Sequence, residues 1–134
     1  MRDLVAWAEG NSEARRTTLR RFGERIPGNP EAVRLAMNVI NLGEVFYVVG
    51  RVTGSVEEAQ DIVAEIRRAP IEIVRATHTL VFRAAAIKMR WAISYADAFA
   101  VATAQAQNAF LLTGDPELKA LDPDEVSLLW LGDR

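Results

Sequence analysis

The chain has 134 residues, of which 50% are hydrophobic and 25% charged, and its formal net charge is −2. This composition is typical of one folded domain, which we place at residues 1–134, and it excludes a mainly disordered chain. No segment approaches the ~20 uncharged residues of a membrane helix, so we expect a cytoplasmic protein with no membrane partner. Because cysteine is absent and His78 is the single histidine, zinc–thiolate and multi-histidine metal sites are excluded. Any bound metal must be held by oxygen atoms.

Apolar runs and amphipathic stretches follow one another along the chain. We predict helices at residues 4–10, 12–25, 42–52, 55–68, 79–91 and from Ser94 onward, and strands at residues 33–39, 71–74, 110–112 and 126–131. Such alternation predicts an α/β fold with a largely parallel sheet and helices on both faces. In these folds ligands bind beyond the carboxyl ends of the strands.

Glu44 is the only charged residue in the apolar run of residues 35–49. One interpretation is a carboxylate near a helix terminus that faces water and is favoured by the helix dipole. The other is a functional carboxylate, because an ionised group among apolar neighbours is costly unless a cation or a hydrogen-bond donor compensates it. The sequence leaves both interpretations open.

Two further acidic residues lie at the ends of predicted elements. Asp97 stands three residues after Ser94, which is the spacing of a capping box, so its carboxylate has a structural explanation at a helix start. Asp115 follows the predicted strand 110–112 and precedes Pro116, which is typical of a helix N-cap. Since carboxyl ends of parallel strands meet at one edge, the alternative is a shared site for a divalent metal.

Three motifs carry a resemblance to a known family. The segments NVINLGEVFY, SYADAFAVATA and FLLTGDPEL occur in this order at residues 38–47, 94–104 and 110–118. Together they resemble the PIN-domain ribonucleases, most closely the VapC-type toxins of bacterial type II toxin–antitoxin pairs. The resemblance implies a three-layer α/β/α domain with a largely parallel central sheet.

The same resemblance implies an activity and a set of site residues. Its acidic positions correspond to Glu44, Asp97 and Asp115, which would hold Mg²⁺ or Mn²⁺ and cleave RNA phosphodiester bonds. Thr113 matches the hydroxyl residue beside the last carboxylate and is assigned to the catalytic set with them. The family further implies a homodimer and a small VapB-like antitoxin as a partner. The aromatic pair Phe46 and Tyr47 is compatible with such an interface or with core packing.

The amino terminus departs from the family's pattern. The family begins with a strand that ends in an Asp–Thr/Ser motif, and alignment of residues 4–10 on the following helix places that aspartate before Met1. We therefore expect the first strand and its ligand to precede this sequence, because a sheet without its central strand leaves backbone groups unpaired. A degenerate domain, or a rearranged terminus in which Asp3 substitutes, are the alternatives.

Two other functions remain open at this point. One is a catalytically weak or silent PIN-like binding module that retains its dimer and antitoxin surfaces. The other is an α/β domain in which all three acidic residues only cap helices. The latter predicts that alanine at each position lowers stability by ~1 kcal/mol and changes nothing else.

Overall fold

The computed structural model describes residues 34–130, in which parallel strands alternate with helices. In chain order these are β1 (Leu35–Asn38), α1 (Val39–Thr53), α2 (Val56–Arg68), β2 (Ile71–Val74), α3 (His78–Arg90), α4 (Tyr95–Ala106), β3 (Leu111–Thr113), a 3₁₀ helix (Pro116–Ala120) and β4 (Leu128–Trp130). The predicted α/β class is confirmed. The helices predicted at 4–10 and 12–25, and Asp3, lie outside the described residues.

Helix starts and ends follow from short polar signals. Ser55 accepts a hydrogen bond from the Glu58 N–H at 3.1 Å, as the capping motif predicts, and α2 runs to Arg68. Helix α1 begins three residues earlier than predicted, because Asn38 Oδ1 accepts the Ile40 N–H at 2.9 Å and caps it. Gly54 ends α1 with φ 69°, a left-handed conformation that glycine adopts without strain.

The strands form two parallel pairs. β1 pairs with β2, so that Leu35 lies opposite Ile71, and β3 pairs with β4, so that Leu111 lies opposite Leu128. A single continuous sheet was expected, but within residues 34–130 the two pairs are not hydrogen-bonded to each other. The parallel direction nevertheless brings the carboxyl ends of paired strands to a common edge, where ligands bind in this class of fold.

Each strand pair has its own apolar core. Around β1 and β2 the buried side chains are Met37, Leu42, Val45, Val49, Ala59 and Ile66. The second core is larger and is built mainly from α3, α4 and the chain around β3, including Leu80, Ile87, Phe99, Val101, Leu111 and Leu118. Burial of these side chains is the main stabilising contribution to each half.

Two buried asparagines join the halves. Asn38 Nδ2 donates to Thr103 Oγ1 on α4 at 3.1 Å, and Thr103 Oγ1 in turn donates to the Phe99 carbonyl at 2.7 Å. Asn41 Nδ2 donates to the Ala96 carbonyl at 2.9 Å. These bonds fix the start of α1 against α4, which carries Asp97.

Large apolar side chains also lie on the outer surface. Phe46 and Tyr47 on α1 are 37% and 59% exposed, so neither side chain belongs to the buried core. The Tyr47 hydroxyl instead accepts a hydrogen bond from Arg51 Nη1 at 2.8 Å. None of the helices between residues 34 and 130 is long and apolar enough to cross a membrane.

Candidate metal centre

Asp97 and Asp115 lie together although 18 positions separate them in the sequence. Asp97 belongs to the first turn of α4, and Asp115 directly precedes the 3₁₀ helix. One carboxylate oxygen from each of them and one from Glu117 all lie within 4.8 Å of one another. The structure therefore brings together two of the three predicted acidic residues and adds a third carboxylate.

The Asp97 side chain is not used as a helix cap. Helix α4 is capped by Ser94, whose Oγ accepts the Asp97 N–H at 3.0 Å. The Asp97 side chain is buried, with 4% of the residue exposed, and its Oδ2 has no hydrogen-bond partner within the described part of the chain. The capping box explains the backbone of Asp97, and it leaves the buried carboxylate unexplained.

The negative charges of the two aspartates repel each other. Burial, together with the hydrogen-bonded contact and the negative charge of Asp115, raises the pKa of Asp97 to about 7. Burial alone would raise the pKa of Asp115 as well. The contact with Asp97 and the Glu117 N–H outweigh that effect, so the pKa of Asp115 lies below its ordinary value. Without a cation, the pair therefore shares a proton near neutral pH.

Glu44 lies near this pair but outside the compact group of three carboxylates. Burial and the negative charge of Asp115 raise the pKa of Glu44. Its Oε1 is buried and has no hydrogen-bond partner among residues 34–130. Glu44 is half-buried, so its carboxylate is only partly in contact with water, and desolvation of the buried oxygen is costly unless a cation or a donor compensates it.

Thr113 and Asp115 are positioned by local hydrogen bonds at the end of β3. The Thr113 Oγ1 accepts the Asp115 N–H at 3.0 Å, and Asp115 Oδ1 accepts the Glu117 N–H at 3.0 Å. Asp115 is thus the N-cap that the Asp–Pro pair predicts, and it is also a member of the carboxylate group. Thr113 is buried at 8% exposure and contributes by holding the Asp115 backbone.

The donor set fits a hard divalent cation. Three carboxylates within a few ångströms repel one another, and Asp97 Oδ2 and Glu44 Oε1 are buried acceptors without a donor among the described residues 34–130. Mg²⁺ and Mn²⁺ prefer oxygen ligands, and a divalent charge offsets both the burial of Asp97 and its repulsion by Asp115, which together raise the pKa of Asp97.

Sequence comparison identifies the family. A family model described as the PIN domain matches residues 4–123, which is most of the chain. The chain belongs to the PIN domain family. Among curated proteins, none matches this sequence.

A solved structure has a similar fold to this PIN domain. It is described as VapBC2 from Rickettsia felis bound to a DNA fragment from their promoter, and one of its chains matches with a TM-score of 0.65. The match covers 95% of this chain and 92% of that chain at 18% sequence identity. At that identity the likeness concerns the fold.

Sequence reasoning did not select Glu117. The residue is exposed and lies in the first turn of the 3₁₀ helix, where an acidic side chain is ordinarily explained by the helix dipole. The available signal was its position two residues after Asp115, beyond the same strand end. In this PIN domain Glu117 is an additional candidate ligand.

Proposed function

We propose that this PIN domain is an endoribonuclease that depends on Mg²⁺ or Mn²⁺ and hydrolyses RNA phosphodiester bonds. Membership of the PIN family supports nuclease chemistry at the level of class. The group formed by Asp97, Asp115 and Glu117 supports metal dependence, because its oxygens match the ligands of those ions.

The observation that carries this proposal is the Asp97 carboxylate. It is buried, it faces Asp115, and its Oδ2 lacks a partner within residues 34–130. A carboxylate in this position is unfavourable for folding and becomes favourable when a divalent cation binds. Structural capping does not require it, since Ser94 already caps α4.

In this proposal Asp97 and Asp115 hold the cation, with Glu44 acting directly or through a water. Glu117 is close enough to Asp115 to join them. Thr113 keeps Asp115 in place through its 3.0 Å hydrogen bond to the backbone. When bound, such a cation lowers the pKa of a water and offsets negative charge on the phosphodiester as it is hydrolysed.

We also propose that the chain is a VapC-like toxin of a VapBC-type pair. The fold likeness to a chain of VapBC2 supports a small VapB-like antitoxin as its partner. The exposed Phe46 and Tyr47 support an apolar contact surface, which fits either the antitoxin or a homodimer. Such a toxin acts on RNA in the cytoplasm.

Calorimetric titration with Mn²⁺ tests the metal site. We expect the full chain to bind Mn²⁺ at micromolar to millimolar concentrations and the Asp97→Asn variant to lose this binding, because the buried anionic ligand is gone. The control is Asp122→Asn, which also exchanges one aspartate for asparagine. Asp122 Oδ1 accepts the Asp124 N–H at 2.9 Å, as Asp115 Oδ1 accepts the Glu117 N–H, but Asp122 does not belong to the carboxylate group. No binding by the unmodified chain at millimolar Mn²⁺ would favour the silent binding module.

A further inference from the structure

Within residues 34–130, only one of the two polar atoms of the buried Asn41 side chain has a hydrogen-bond partner. The residue is 4% exposed. Its Nδ2 donates to the Ala96 carbonyl at 2.9 Å, while its Oδ1 is buried and has no partner in the described range 34–130. The orientation of the amide is fixed by this contact, because a carbonyl oxygen accepts only from the NH₂ group. The orphaned atom is therefore an oxygen.

Asn41 is connected to acidic residues on both α1 and α4. It lies three residues before Glu44 on α1, so the two side chains share one helix face. Its partner Ala96 directly precedes Asp97 on α4. Within the part of the chain that the structure describes, buried oxygens without donors thus occur on Asn41 and Glu44 of α1 and on Asp97 of α4.

Resting on the proposed metal-dependent function, we infer that Asn41 supplies a neutral oxygen to the cation site through Oδ1, directly or through one water. Amide carbonyl oxygens are ordinary ligands of hard cations. A neutral oxygen adds a ligand without further charge in a group where carboxylates already repel one another. The Nδ2 bond to Ala96 holds the amide in the orientation that presents this oxygen.

Asn38 is a second buried asparagine, and it differs from Asn41 because both of its amide atoms form hydrogen bonds. It is also buried, at 1% exposure, and it also bonds across to α4. Both of its amide atoms are used, since Oδ1 accepts the Ile40 N–H and Nδ2 donates to Thr103. Asn38 is explained by helix capping and by the contact between the two halves, whereas these roles leave the Oδ1 of Asn41 without a function.

The test is Mn²⁺ calorimetry on the full chain and on two variants, with thermal melting in EDTA as a measure of the fold. Asn41→Leu removes both amide atoms, whereas Asn41→Asp keeps an oxygen at the Oδ1 position and loses the donor to Ala96. Both variants melt at a lower temperature than the unmodified chain in EDTA. We expect Asn41→Leu to weaken Mn²⁺ binding by about tenfold or more, the range typical of groups that support metal ligands. Asn41→Asp binds Mn²⁺ at least about tenfold more tightly than Asn41→Leu on the same grounds.

The control variant is Asn38→Ser, which keeps a capping oxygen and removes only the bond to Thr103. We expect it to bind Mn²⁺ more tightly than Asn41→Leu, because it removes a contact between α1 and α4 but no oxygen of the metal site. Equal affinities of Asn41→Leu and Asn41→Asp, or an equal loss in Asn38→Ser, would overturn the role of Asn41 and leave the metal site standing. Absence of Mn²⁺ binding in the unmodified chain would instead overturn the proposed function on which the inference rests.

Discussion

Asp97 is costly to the fold when no cation is bound, because its buried carboxyl group contacts Asp115. Its pKa rises to about 7 in the folded chain from an ordinary value of 3.8. At a pH between these two pKa values, the Asp97 carboxyl group keeps its proton in the folded chain and has lost it in the unfolded chain. The contribution of Asp97 to stability is therefore fully present below the lower value and is lost as the pH rises through the upper one.

This linkage predicts a pH profile for the metal-free protein. In EDTA, the free energy of unfolding falls as the pH rises from about 4 to about 7, and Glu44, whose pKa is also raised, adds to the fall. The Asp97→Asn variant has a flatter profile because it cannot release that proton. Urea unfolding across this pH range measures both profiles. Identical slopes for the two proteins would contradict the assigned environment of Asp97.

Mn²⁺ is expected to remove this pH dependence, since it competes with the proton for the same carboxylates. At saturating Mn²⁺ the fall in stability toward neutral pH disappears from the unmodified chain.

The proximity of Asp97 and Asp115 is predictable from their positions at the ends of sequence elements. The orphaned oxygen of Asn41 was not predictable, because it depends on a contact with Ala96 at a separation of 55 positions.

At the scale of elements, Glu125 joins α3, α4 and the chain before β4. Its carboxylate accepts from Trp91 Nε1 at 3.0 Å, from Arg90 Nη2 at 2.6 Å and from Gln105 Nε2 at 2.9 Å. Burial opposes ionisation of Glu125, but these donors outweigh it and hold its pKa below the ordinary value. The network links the C-terminal ends of α3 and α4 to the chain before β4, and Glu125 does not belong to the group formed by Asp97, Asp115 and Glu117.

Glu125→Ala is expected to destabilise the protein without changing its metal site. It leaves the half-buried Trp91 N–H unpaired, which lowers the free energy of unfolding by about 2 kcal/mol. Glu125→Gln keeps an acceptor for Trp91 and loses less. Urea unfolding gives the order, and Mn²⁺ calorimetry on the folded variants gives an unchanged affinity. A loss of Mn²⁺ binding in Glu125→Ala would show that the contacts of Glu125 affect the metal site at the N-terminal end of α4.

Most element types were predictable because local signals mark them. Ser55 and Ser94 start helices where capping motifs predict them, and the strand at Ile71–Val74 has the predicted bounds. The start of α1 was misplaced, because the apolar run of residues 35–49 contains no change of period between strand and helix. Only the cap formed by Asn38 marks that boundary.

At the scale of the whole molecule, two strand pairs and their cores meet at α4. The packing of α4 on both halves places Asp97 beside the end of β3, while the buried asparagines align α1 with it. The grouping of helices and parallel strands was predictable from alternation. The division into two separately paired halves within residues 34–130 was not, since sequence periodicity does not specify which strands are neighbours.

We propose that this arrangement makes a metal-dependent ribonuclease, and an RNA cleavage assay measures that activity itself. Purified full chain, Asp97→Asn and the control Asp122→Asn are incubated with a mixed-sequence RNA and Mn²⁺, with and without excess EDTA. We expect the full chain and Asp122→Asn to cleave the RNA, and EDTA to abolish this cleavage. We expect a folded Asp97→Asn variant not to cleave it. Cleavage by Asp97→Asn equal to that of the full chain, or cleavage that EDTA leaves unchanged, would contradict the proposal.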